Sequence, residues 1–186
     1  MKRMLAITII LLLCCGCSRV DSQMNRALAL RECILNSEGC TFTTNITSDY
    51  GDRIYTFSMD CRADASGAVN FTVTAPETIS GICGVLTEGE GKLTFDDQAL
   101  FFEMLADGQV SPVSAPWLFM NTLNGGYIKA CGREDRGLLI QIDDSYKEKA
   151  LQLNIRTDQN DLPVSAEIFW QGMRIVSMDV ENFTFV

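Results

Sequence analysis

A chain of 186 residues with a formal net charge of −9 repels polyanions, which excludes nucleic acid as a partner, and 47% hydrophobic against 21% charged residues exclude a disordered chain. The absence of histidine removes Ser-His and Cys-His catalysis and the common His-based zinc sites. What is left is a length that buries one good core, and no internal repeat or low-complexity stretch divides it.

The first predicted element is an export signal. Lys2 and Arg3 precede a short apolar run from Leu5 to Leu13, and Cys14, Cys15 and Gly16 form a small-residue exit before Cys17. The run is too short to span a bilayer, so it reads as a processed leader over residues 1–16. This pattern resembles the bacterial lipoprotein lipobox, with Cys14 standing where Leu is usual. The resemblance implies lipid attachment: diacylglycerol on Cys17, and a protein anchored to the cell membrane on its extracytoplasmic side. Removal of Lys2 and Arg3 takes the charge from −9 to −11, so the surface gains nothing from anionic headgroups and anchoring rests on acyl chains.

Residues 17–21 make a short tether. From Ser22, the positions Met24, Ala27, Leu28, Arg31, Ile34 and Leu35 follow helical spacing and are apolar but for Arg31, with Gly39 as a stop. They predict an amphipathic helix of about four turns. From Cys40 the period becomes two. Phe42 and Ile46 mark one strand. Tyr55, Phe57, Met59 and Cys61 mark a second, and Val69, Phe71 and Val73 a third that ends at Pro76. Val85, then Leu93 and Phe95, then Leu100, Phe102 and Met104 give three more, separated by turn residues. The rhythm breaks over residues 106–126, where Ser114 and Pro116 start a short helix carrying Trp117, Leu118, Met120 and Leu123, stopped by Gly125 and Gly126. Five strands follow, near residues 127–131, 138–142, 151–155, 164–170 and 175–185, the last pair joined at Gln171 and Gly172.

The expected fold is α+β and mostly antiparallel β: about eleven strands in one sheet, an N-terminal helix, and a mid-chain lid helix. Too few residues lie outside strands to build a second sheet, so the sheet must curl and its helices must cover the concave side. Residues 22–186 then form a single domain.

This order of elements, with the segments Glu90–Asp97, Ser111–Leu123 and Met178–Phe185, resembles the LolA/LolB superfamily, including its LppX-type lipoproteins, and envelope lipoproteins of Gram-positive bacteria. The resemblance covers almost all of the mature chain. It implies an unclosed half-barrel whose concavity binds acyl chains. It implies the pocket and not the transfer pathway, because a Gram-positive envelope has no outer membrane to receive lipoproteins.

Five further cysteines, Cys33, Cys40, Cys61, Cys83 and Cys131, follow Cys17, an odd number that either pairs in part or stays reduced as small buried hydrophobes. The acidic pairs at Asp96 and Asp97, Glu134 and Asp135, and Asp143 and Asp144 fall in predicted turns, where aspartate holds backbone N–H groups, so no catalytic residue and no metal site is expected from them. Asn45, Asn70 and Asn182 each open an Asn-x-Thr triplet that strand threonines explain. Gly91 and Lys92 resemble the end of a phosphate loop, but Leu86 and Leu93 stand where its first Gly and its Ser or Thr belong.

The candidate ligand-binding residues are the aromatic, Met and Leu side chains of the strands and lid: Tyr55, Phe57, Met59, Phe71, Phe102, Met104, Trp117, Leu118, Met120 and Leu123. Such residues line apolar pockets and equally fill packed cores. Two functions follow. In one, a lipid-anchored monomer, neither an enzyme nor a cofactor protein, binds lipid or a lipoprotein acyl chain beneath a lid of residues 113–124 and the helix from Ser22. In the other, a lipid-anchored scaffold with a filled core and no ligand docks another protein. A hydrolase using paired acids ranks third.

Overall fold

The computed structural model describes residues 20–186 apart from positions 97, 104, 107, 108 and 135. The expected signal, Cys17 and Met104 therefore lie outside the described residues. No helix among the described residues is long and apolar enough to cross a membrane.

Helix α1 runs Val20–Asn36. Six strands follow: β1 Gly39–Asp49, β2 Ile54–Asp64, β3 Val69–Ala75, β4 Cys83–Thr87, β5 Glu90–Phe95 and β6 Gln98–Glu103. A two-residue pair, β7 Leu105–Ala106 and β8 Gln109–Val110, leads into helix α2, Ala115–Gly125. Then come β9 Tyr127–Glu134, β10 Gly137–Asp143, β11 Gln152–Thr157, β12 Pro163–Trp170 and β13 Met173–Phe185. Eleven strands form one antiparallel sheet in the order β6-β5-β4-β3-β2-β1-β13-β12-β11-β10-β9.

The topology explains the curl. The chain starts at the centre of the sheet, walks out to β6, and resumes at the opposite edge, β9, before returning to pair β13 with β1. Eleven strands at about 4.8 Å spacing would set the two edges roughly 48 Å apart if flat. Residues 104–126 join those edges, and with 11 of them wound into α2, about 16 Å long, and the β7–β8 pair doubling back, they fall short of that span. The sheet bends and the connection crosses its hollow. Bulges add to the bend: at Thr41/Thr43 the register slips by one, and Asn182 on β13 takes a positive φ of 54°. That bulge is why the apolar positions of β13 shift phase between Val180 and Phe183.

The central strands show the two faces plainly. On β1, Phe42, Thr44, Ile46 and Ser48 point into the hollow and are buried. The two hydroxyls there are satisfied, Thr44 donating to the Asp179 carbonyl at 2.9 Å and Ser48 to that of Ile175 at 3.0 Å. On the convex face, polar side chains pair across strands, Thr41 with Thr184 at 2.8 Å and Thr43 donating to Asp60 at 3.0 Å.

Both helices pack into the hollow. From α2, Trp117, Leu118, Phe119, Met120 and Leu123 are buried, each such burial stabilising by about 1.5–3 kcal/mol. Phe119, wholly buried, packs edge-on against Phe42 and Phe183 at centroid distances of 5.6 and 6.5 Å. From α1 the buried face is Ala27, Leu30 and Ile34. This corrects the expected face: Leu28 and Leu35 are 46% and 60% exposed, and Leu30 takes their place. The helix begins two residues before Ser22, and its contact line is set by α2 and β9 rather than by the widest apolar arc.

Arg31, the polar interruption of that arc, reaches α2. Its guanidinium donates to the carbonyls of Leu123 at 2.6 Å and Gly126 at 2.8 Å. Arg26, earlier on α1, pairs with Asp161 in the β11–β12 loop through two hydrogen bonds.

Candidate functional site: an apolar cavity under the β2–β5 half of the sheet

The helices fill only part of the hollow. Beside them, between β2, β3 and β5 and a roof made by residues 110–113, lies a cavity of about 700 Å³. Its wall is built from alternate residues of neighbouring strands: Tyr55 and Phe57 on β2, Phe71 and Val73 on β3, Leu93 on β5. The loop after β3 adds Ile79 and Ile82 at one side, and Val110, Pro112 and Val113 close the top. Gly84 on β4 makes room for the wall. A Cβ there would stand 2.4 Å from the Phe71 ring and 2.6 Å from the Lys92 carbonyl, so a side chain at 84 would push Phe71 or strand β5.

Polar groups gather at the mouth. The Tyr50 hydroxyl donates a hydrogen bond to the Val110 carbonyl, tying the β1–β2 loop to the roof, and burial pushes its phenol pKa up. Asp52 and Arg53 lie 3.9 Å apart and are largely in solvent, a pair of little energetic weight. Glu103 lines the cavity from the far end of β6, opposite Glu90 and away from the β1–β2 loop.

The expected ligand-binding residues divide. Tyr55, Phe57 and Phe71 line the cavity together. Met59, two residues along β2 from Phe57, is wholly buried in the packed core. Phe102 is half-buried, its ring lying over Gly91. Trp117, Leu118, Met120 and Leu123 are buried in the core that α2 makes and are not among the cavity-lining residues. The roof starts earlier than expected, at residue 110, and overlaps the expected lid of 113–124 only at Val113. Tyr50, Val73, Ile79, Ile82, Leu93 and Val110 line the cavity without having been expected as site residues. Ile79 and Ile82 lie in a loop whose 3₁₀ turn, Glu77–Ile79, breaks the strand period, so the only signal was an apolar pair three residues apart.

Of the acidic pairs expected in turns, Glu134 and Asp143 instead close strands β9 and β10, Asp97 and Asp135 lie outside the described residues, and those described do structural work. Asp144 accepts from the Leu151 N–H at 2.9 Å, and Asp143 pairs with Lys129 at 3.2 Å. Glu134 pairs with Arg156, which also bridges to Glu167. Among the described residues no group of three or more His, Cys, Asp or Glu side chains is placed to hold a metal ion. Cys33, Cys40, Cys61, Cys83 and Cys131 are free thiols. Burial pushes the thiol pKa values of Cys40, Cys61 and Cys131 up, which keeps them protonated and unreactive.

No protein-family model matches the sequence, and a search of curated proteins finds no match. Solved structures do resemble this one. The chain is similar to a DUF1329 family protein from Desulfovibrio piger, at 8% identity and a TM-score of 0.50, covering 89% of this chain and 92% of that one. It is also similar to a LolA superfamily protein from Nitrosomonas europaea, at 7% identity and 0.48, covering 90% and 93%. The Mycobacterium tuberculosis lipoprotein LppX gives 11% identity and 0.41, covering 87% and 93%. At 8% identity the likeness to the Desulfovibrio piger protein is one of fold alone, in this chain an open antiparallel sheet wrapped over an N-terminal and a mid-chain helix.

Proposed function

We propose that this protein is an envelope lipoprotein, held at the extracytoplasmic face of the membrane by lipid on Cys17, that binds the acyl chain of a lipid or lipoprotein in the cavity beneath residues 110–113. The observation that carries this is the cavity itself: about 700 Å³ of space walled by Phe57, Phe71, Val73, Leu93 and Val113. That volume falls within the range of about 300–1,000 Å³ usual for small-molecule sites. Binding is driven by removing methylenes from water, at about 0.8 kcal/mol each. Selection of the ligand falls to the mouth, where Asp52 and Arg53 stand.

The test is mass spectrometry of organic extracts from the purified chain, with displacement of a fluorescent fatty acid as the solution assay. Co-purified lipid and displacement by long-chain fatty acids at near-stoichiometric ratios are expected. A chain that carries no lipid and takes up no fatty acid has a ligand-free hollow, and the reading fails.

A further inference from the structure

The chain has four tyrosines and two tryptophans, and all four tyrosines with one tryptophan lie at one end of the sheet. The antiparallel register defines that end. Tyr50 follows the close of β1 and Tyr55 opens β2; Tyr127 opens β9 opposite Asp143, the last residue of β10; Tyr146 stands in the β10–β11 loop; and Trp170 closes β12 opposite Met173. The rings meet in pairs, Tyr50 with Tyr55 at a centroid distance of 6.2 Å and Tyr127 with Tyr146 at 5.3 Å. Apolar side chains at the same end stand in solvent: Ile54 is 68% exposed, Phe95 56%, Met173 69%, and Tyr146 88%. The opposite end exposes Val164, Phe185 and Val186 but carries no tyrosine or tryptophan at its turns, two of which are closed by Asp64 and Asp158 accepting backbone N–H bonds.

The aromatic end is also where the cavity opens, since Tyr50, Asp52, Arg53, Tyr55 and Ile79 of its mouth belong to those loops. We propose that this end docks on the surface of a lipid bilayer and presents the cavity mouth to it. The inference rests on the lipid-binding reading of the cavity and adds where the ligand enters. Three features favour a bilayer as the occupant. Tyrosine and tryptophan have an apolar body and a polar tip, which suits the boundary between headgroups and chains. The exposed apolar residues are spread over separate hairpin tips, each free to sink into a fluid surface, where a folded partner would need one contiguous face. The same loops carry Asp52, Glu77, Asp96, Asp144 and Glu148 against Arg53, Lys147 and Lys149, so docking draws nothing from anionic lipid and resists salt.

The full chain is reconstituted into phosphatidylcholine vesicles whose acyl chains carry bromine, and tryptophan is introduced singly as Y146W and F95W at the aromatic end and V164W at the other. Emission of the unsubstituted chain is subtracted. Loss of the added emission is expected for Y146W and F95W, at low and high salt alike, with V164W emission retained. Unquenched tips, or quenching of V164W as strong as theirs, overturns the proposal. So does a blue shift of tip emission on self-association or on adding a protein partner without lipid, since the tip is then a protein interface. Fatty-acid uptake measured in the same samples separates the two readings: uptake with unquenched tips removes the docking alone, and quenched tips without uptake remove the cavity reading alone.

Discussion

Replacing Arg31 by methionine tests what holds the helices inside the sheet. The guanidinium sits on α1 and donates to the carbonyls of Leu123 at 2.6 Å and Gly126 at 2.8 Å, with Thr122 a weaker third at 3.4 Å. The Leu123 and Gly126 carbonyls belong to the last turn and cap of α2, where helical carbonyls run out of onward partners and the dipole favours a cation, while that of Thr122 already accepts from the Gly126 N–H. Hydrogen bonds from a charged donor contribute about 1.5–3 kcal/mol each, and the dipole about 0.3–1 kcal/mol. Opposing them is the loss of water around the guanidinium, which lowers the Arg31 pKa, and among the described residues no salt bridge joins Arg31 to a carboxylate to offset it. The net expectation for R31M is a loss of about 2–4 kcal/mol, with R31K intermediate because an ammonium cannot fork between two carbonyls in the same geometry. Urea unfolding followed by tryptophan emission reads this directly, since Trp117 on α2 is buried. An R31M chain within about 0.5 kcal/mol of the unsubstituted one, the range of ordinary surface changes, refutes the pinning argument.

Leu93→Trp places an indole in the cavity from its half-buried wall, and lipid co-purification and fatty-acid uptake are expected to fall while the far-UV circular dichroism stays unchanged; undiminished uptake would put the ligand elsewhere. Met120→Asp puts an unpaired carboxylate in the core of α2, where Met120 is 3% exposed, at a cost of about 3–5 kcal/mol. Loss of cooperative thermal unfolding is the expected result, and an M120D chain of normal stability that had merely lost its lipid would make α2 part of the cavity after all. Asp64 accepts from the hydroxyl and N–H of Ser66 and the N–H of Ala68, which hold its carboxyl below the usual carboxylate range. Its stabilisation is therefore complete above the unfolded value of about 3.9 and disappears as pH falls through the lower folded value. The stability gap between the native chain and D64N, measured by urea titration, should hold at neutral pH and close on acidification, and a gap that ignores pH contradicts the assignment.

Much of the architecture was legible from period alone. The eleven main strands, the turns at Asp64 and at Gln171–Gly172, and the helix starting near Pro116 all follow from local alternation, glycine placement and proline geometry, which need no knowledge of what lies across the hollow. The β7–β8 pair and the 3₁₀ turn at Glu77–Ile79 did not show, because two- and three-residue elements are shorter than any period. The candidate site was legible only in part. Tyr55 and Met59 share a strand and a face, and nothing local distinguishes the one that lines the cavity from the one sealed in the core.

The amino-acid order by itself determined a curled antiparallel sheet with an apolar inner face and two helices to cover it, because side-chain alternation and chain connectivity are one-dimensional properties. Tertiary structure decided how that inner face is shared. Phe119 and its neighbours on α2 pack against Phe42 and Phe183 and fill one region, while residues 110–113 span the β2–β5 half without filling it. Which aromatic becomes core and which becomes wall depends on where one connecting helix comes to rest, and that is settled by long-range contacts such as Arg31 with the end of α2 rather than by any pattern along the chain.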